Sequence, residues 1–138
     1  MNTNLMAKAV WGTSSRPDCV KRVLIVEDDP DAGEMLMTAC RLEGYDSYLA
    51  GDGRQALRHL TAGVIPDVIL LDLHMPVMDG WQFRSVQQQH REWADIPVVI
   101  ISTESQGART PAMAPVAELA KPLDVEALFA ILRALPAH

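Results

Sequence analysis

Four stretches of this 138-residue chain carry an apolar run into a polar group that could do chemistry. Val23-Leu24-Ile25-Val26 meets Glu27 and Asp28. Val68-Ile69-Leu70-Leu71 meets Asp72, Val98-Val99-Ile100-Ile101 meets Ser102, and a weaker run over 116–120 meets Lys121. An unpaired carboxylate is too costly to bury in a dry core, so Asp72 belongs at the exit of its run, where a site can be built. Taken singly, Asp72 could merely cap the next turn. Glu27 and Asp28 could be a solvated acidic turn, Ser102 a turn residue and Lys121 a surface lysine. Gathered together, three carboxylates would repel one another strongly at low dielectric and would need positive charge. Oxygen donors without a His or Cys cluster suit a hard ion that keeps its waters, which points to Mg²⁺. Lys121 supplies a fixed second positive charge and Ser102 a hydroxyl donor. Such a set describes a seat for a phosphoryl group, and a carboxylate can itself be the nucleophile and form an acyl phosphate.

The elements that must position these residues are legible in order. Apolar runs rich in branched residues read as strands buried on both faces. Asp29-Pro30 opens a helix, with Asp29 a better helix cap than metal ligand. That helix carries Ala32, Met35, Leu36, Ala39 and Leu42 at helical spacing and stops at Gly44. Tyr45 to Ala50 reads as a short strand, Gly51-Asp52-Gly53 as a turn, and Ala56, Leu57 and Leu60 as the stripe of a second helix. Asp79-Gly80 marks a turn before a helix from Trp81 to His90, with Phe83 and Val86 inward. Gly107, Pro111 and Pro115 leave any helix between residues 104 and 116 short or broken. Asp124 caps a final helix with Val125, Leu128, Phe129, Leu132 and Leu135 on one face. Strand and helix alternate five times, which predicts a doubly wound α/β fold, a parallel sheet with helices on both faces. In such sheets ligands sit at the carboxyl ends of the strands, which brings Glu27, Asp28, Asp72, Ser102 and Lys121 to one edge.

Length predicts one domain. Hydrophobic residues at 49% suffice for a single core, and aromatics at 5% make it aliphatic. A net charge of −6 argues against nucleic acid and anionic membrane as partners. No run is long enough to span a membrane, and residues 1–17 lack a secretory core, so a cytoplasmic location is expected. Cys19 and Cys40 lack metal spacing and read as free thiols. Residues 1–20 read as a flexible tail, with a dimerisation or docking arm as the alternative.

The motifs together resemble the receiver domain of two-component response regulators. The resemblance rests on Val26-Glu27-Asp28-Asp29-Pro30, the run from Leu71-Asp72 through Met75-Pro76 to Asp79-Gly80, Pro97 to Ser102, and Lys121-Pro122. It implies a flavodoxin-like sheet of order 2-1-3-4-5. It implies phosphorylation of Asp72 by a histidine kinase or histidine phosphotransfer protein. Glu27 and Asp28 would hold Mg²⁺, Asp28 directly, joined by Asp72 and the backbone carbonyl of His74. Ser102 would bond the phosphoryl group and Lys121 would pair with it.

Three departures stand out. Glu118 occupies the place, three before the lysine, where the family usually has an aromatic residue. Ser102 and Lys121 are closer in sequence than usual, the shortfall falling in the fourth helix. Thr103 replaces a small residue and, with His74 and Glu104, flanks the approach to Asp72. The expectation is a stand-alone receiver over 21–136, without an output domain, signalling to an unknown protein by an atypical readout; a homodimer is possible. The alternative is a pseudo-receiver that needs no phosphate. A Mg²⁺-dependent phosphohydrolase fits less well, because His74 stands where such enzymes often carry a second acid.

Overall fold

The computed structural model describes residues 20–103 and 113–136. Of the flexible tail expected over 1–20, residues 1–19 lie outside that range, as do Cys19, Glu104 and most of the fourth-helix region, while Val20 is described and buried. Five parallel strands form one sheet of order β2-β1-β3-β4-β5. They are β1 (Arg22–Val26), β2 (Asp46–Ala50), β3 (Val68–Asp72), β4 (Val98–Ser102) and β5 (Ala117–Ala120), and the helices are α1 (Pro30–Leu42), α2 (Gly53–Thr61), α3 (Gly80–Gln88) and α4 (Val125–Ala134). This is the expected flavodoxin-like arrangement. Between β4 and β5, no α-helix occurs among the described residues.

Every residue of β3 and β4 is buried, as continuous apolar runs in a parallel sheet require. Successive side chains point to opposite faces and build two cores. Leu24, Val26, Ile69, Leu71 and Ile100 pack with Ala56 and Leu60 of α2 and Phe83 of α3. Val23, Ile25, Leu70, Val99 and Ile101 pack with Leu36 and Cys40 of α1 and Leu128, Phe129 and Leu132 of α4. Val20 joins the second core just ahead of β1.

Side-chain caps fix where helices begin. Asp29 accepts from Asp31 N, Asp52 from Gln55 N, and Asp124 from Glu126 N and Ala127 N. Asp79 caps α3 through a reciprocal pair with Gln82, so Gly80 is the helix's first residue rather than part of a turn. Gly44, at φ +94°, ends the α1 segment as expected.

Two helix faces differ from expectation. On α1 the buried side is Gly33, Leu36 and Cys40, while Met35 and Leu42 are 66% and 82% exposed. The helix is rotated because Gly33 lies against Leu49 of β2, where a Cβ would come within 2.8 Å of the leucine's side chain. On α3, Val86 is only half-buried, and Arg84 and Gln87 are buried in its stead. Their polar atoms are satisfied by main chain and by each other. Arg84 Nε donates to Met113 O at 2.8 Å, and Gln87 Nε2 donates to Trp93 O and Ile96 O at 2.9 and 3.0 Å.

Cys40 is free and wholly buried. Burial pushes its thiol up to about 11 from the ordinary 9.0, against a smaller opposing pull from Ser47. The fold therefore favours the neutral thiol. That contribution is complete below the unfolded value and is lost as pH rises through the folded one. Between about pH 8 and pH 11, wild type is expected to lose about 2 kcal/mol more unfolding free energy than Cys40→Ala. Urea melts of both proteins at the two pH values measure the difference.

Candidate functional site

β1 and β3 are adjacent in the sheet, with Val26 opposite Leu71. This register places the residue following each strand's apolar run at the same lip. Glu27 extends the ladder by donating its N–H to Ala50 O at 2.9 Å. Its carboxylate is turned inward and 6% exposed, Asp72 is 5% exposed, and Asp28 beside them is exposed. Oxygens of the three carboxylates all lie within 4.8 Å of one another.

β5 brings the compensating charge. Lys121 follows its last residue and donates its backbone N–H to Ser102 O at 3.0 Å. The side chain crosses the end of β4 and reaches Glu27 Oε1 at 2.8 Å and Asp72 Oδ2 at 3.2 Å. Burial opposes the ammonium charge, but the hydrogen bond to Glu27 and the charges of Asp72 and Glu27 outweigh it. The lysine pKa is therefore held above its ordinary value. The remaining oxygens of the buried acids are engaged by main chain: His74 N donates to Asp72 Oδ1 and Asp29 N to Glu27 Oε2, both at 3.2 Å.

One ammonium against three clustered carboxylates leaves negative charge in excess. The donors are all hard oxygens, and Asp28 faces solvent, so a captured cation could keep several waters. This set fits Mg²⁺ better than a softer, nitrogen- or sulfur-preferring metal.

The other expected residues gather at the same lip to different degrees. Ser102 ends β4, fully buried, opposite Ala120, and Asp72 lies opposite Ile101. Thr103 is exposed. The His74 side chain is also exposed and meets the ring of Trp81 edge-on at 5.4 Å between centroids. Glu118 is half-buried opposite Ile100. Its neighbours Ala117 and Leu119 pack toward the α1–α4 core, so strand alternation turns Glu118 to the α2–α3 side.

The loop from Leu73 to Asp79 is tightly held. Gly80 N donates to Leu73 O at 3.0 Å, and a Cβ on Gly80 would sit 2.7 Å from Asp72 O. Glycine is thus required where α3 meets the main chain of the acid. Val77 is held at φ +68° although β-branched and 69% exposed, a costly conformation for such a residue. Met78 O accepts from Gly53 N at 3.1 Å, which ties the loop to the start of α2.

Sequence reasoning missed the support behind this lip. Besides its bond to Met113 O, the Arg84 guanidinium reaches Gln87 Oε1 at 2.8 Å and Ala114 O at 3.3 Å. It anchors the chain leading into β5, and burial lowers its pKa from the usual arginine value. The one available signal was the spacing of Arg84 and Gln87, which puts them on the same helix side as Gly80.

Known proteins resemble this chain in sequence and fold. The family model for the response regulator receiver domain matches residues 23–133. The regulatory protein AtoC of Escherichia coli is 36% identical over 87 residues, covering 63% of this chain and 18% of AtoC. The DNA-binding dual master transcriptional regulator RpaA of Synechocystis is 33% identical over 117 residues, covering 83% of this chain and 48% of RpaA. The chain thus spans less than half the length of either relative. Among solved structures, the Vibrio cholerae chemotaxis protein CheY4 superposes with a TM-score of 0.77 at 28% identity, over 85% of this chain and 99% of that one. With the family match running from β1 to the last turn of α4, the chain belongs to the response regulator receiver domains.

Proposed function

We propose that Asp72 is the phosphoacceptor of a two-component relay. The donor would be a histidine kinase or a histidine phosphotransfer protein. An Asp72 carboxylate oxygen attacks the phosphorus of a phosphohistidine; a P–O bond forms, the P–N bond breaks, and the imidazole leaves. Glu27, Asp28, Asp72 and the main-chain carbonyl of His74 would hold Mg²⁺. When bound, the ion supplies charge neutralisation for the clustered carboxylates and the transferring group. Lys121 pairs with the phosphoryl oxygens and Ser102 donates its hydroxyl to them. The observation that carries this reading is the Lys121 ammonium joining Glu27 and Asp72, with an Asp28 oxygen in the same 4.8 Å cluster.

Output runs through protein contacts with an unusual readout. At position 118 an acid stands where the family usually has an aromatic side chain, and the two differ in charge and shape. The signal then leaves through Thr103 and the segment that enters β5. A second reading, an interaction module that works without phosphate, is favoured by Glu118 and by the shortened sequence between Ser102 and Lys121.

Incubation with Mg²⁺ and phosphoramidate separates the two. An acid-stable, base-labile phosphate is expected, and Asp72→Asn should abolish it; a chain that takes up no phosphate refutes the phosphoacceptor reading. Lys121 and a divalent ion compete for the same oxygens, so Lys121→Ala should raise Mg²⁺ affinity about tenfold, equivalent to removing about 1.4 kcal/mol of competing interaction. Calorimetric titration measures this, and weaker binding by the variant counts against the assignment. On phosphorylation, the amide resonances of Thr103 and of residues 113–120 should shift. Unchanged signals there exclude this exit route.

A further inference from the structure

The outward sides of α1 and α2 carry opposite charges with no ion-pair partner among the described residues. On α1, Asp31 and Glu34 are exposed beside Met35 and Leu42, and these residues line a shallow depression. On α2, Arg54 and Arg58 flank Leu57 and line a second depression, completed by Met78 from the loop after Asp72. The helix Gly53–Thr61 contains no acid. None of Arg54, Arg58, Asp31 and Glu34 is in an ion pair among the described residues.

The two surfaces match in form as well as in sign. Acids three apart on one helix and arginines four apart on the other each lie along a single side. Each pair borders apolar side chains, Met35 and Leu42 on one surface and Leu57 and Met78 on the other. Met35 and Leu42, at 66% and 82%, are the exposed large apolar side chains of the described helices. A patch of that kind marks an interaction surface when rimmed by charge. α1 packs on one face of the sheet and α2 on the other, so a single copy cannot close the two surfaces on each other.

We propose that a second copy of this chain is the occupant, with the acidic side of α1 in one copy seated on the basic side of α2 in the next. Charge complementarity selects this partner: in a chain of net charge −6 the arginine pair of α2, on a helix without an acid, offers a place where an acidic helix is welcome. The contact is heterologous. It repeats from copy to copy unless the rotation between neighbours closes a ring. Its ion pairs lie at a solvent-exposed rim, so salt weakens it. The contact does not depend on the phosphoacceptor reading.

Sedimentation velocity of the full chain tests the contact. Wild type at high micromolar concentration should form species larger than a dimer near 50 mM salt, with association about tenfold weaker near 500 mM. The charge-reversed variants R54E/R58E and D31K/E34K should each be monomeric, because each then presents like charges at both surfaces. Mixed in equal amounts they should associate again, since each meets its complement in the other. Both variants keep a net negative charge, so bulk attraction does not explain reassociation. Equal phosphorylation of both variants by phosphoramidate, or matching thermal melts, confirms that they fold. A wild type that stays monomeric at low salt overturns the proposal, as do variants that assemble like wild type or a mixture that stays monomeric. A monomeric wild type that binds a phosphotransfer protein through α1 also overturns it and gives that face to a different partner.

Discussion

The contact on which the site depends is the ammonium of Lys121 lodged between Glu27 and Asp72. Two carboxylates buried this close together repel each other, and the lysine offsets that repulsion with its charge. It also fixes geometry, because its stem arrives from β5 and its head meets residues at the ends of β1 and β3. Three strands are pinned at one lip by a single cation. Asp28, outside this pairing and exposed to solvent, keeps the cluster negative in sum and open to a divalent ion.

Much of this was legible in the sequence because parallel strands buried on both faces leave apolar runs that end abruptly. The chemistry-bearing residues stand where those runs stop, and strand order places the stops together. The caps were legible for a local reason: Asp29 and Asp124 satisfy backbone donors within a few residues of themselves. Asp79 was legible as a punctuation mark but not as a reciprocal cap, because that depends on Gln82 turning back toward it.

What the sequence hid was decided by tertiary fit. Five apolar residues on α1 span more of its circumference than the core can cover, and periodicity alone does not choose among them. The choice was made by Gly33, a residue without a side chain, which allows the helix to approach Leu49 closely. Arg84 and Gln87 were hidden for the opposite reason. Both are long polar side chains that propensity sends to solvent, and they are buried because main-chain carbonyls of 93, 96, 113 and 114 converge on them only in the finished fold. A buried guanidinium satisfied by carbonyl oxygens avoids the penalty of an unbonded polar group. It takes over the job of holding the approach to β5, in a chain whose fourth-helix region is interrupted by glycine and proline.

The fit of Gly80 against Asp72 has a mechanical corollary. With only 2.7 Å between the peptide oxygen of the acid and the place a methyl group would occupy, strand end and helix start have no play between them. Any backbone displacement at Asp72 must be carried into α3 as a rigid push, and Phe83, wholly enclosed one turn further on, would pass it to the sheet. Helix, acid and core on that side work as one stiff lever, while on the opposite side of the lip Lys121 reaches the acids only through its flexible side chain.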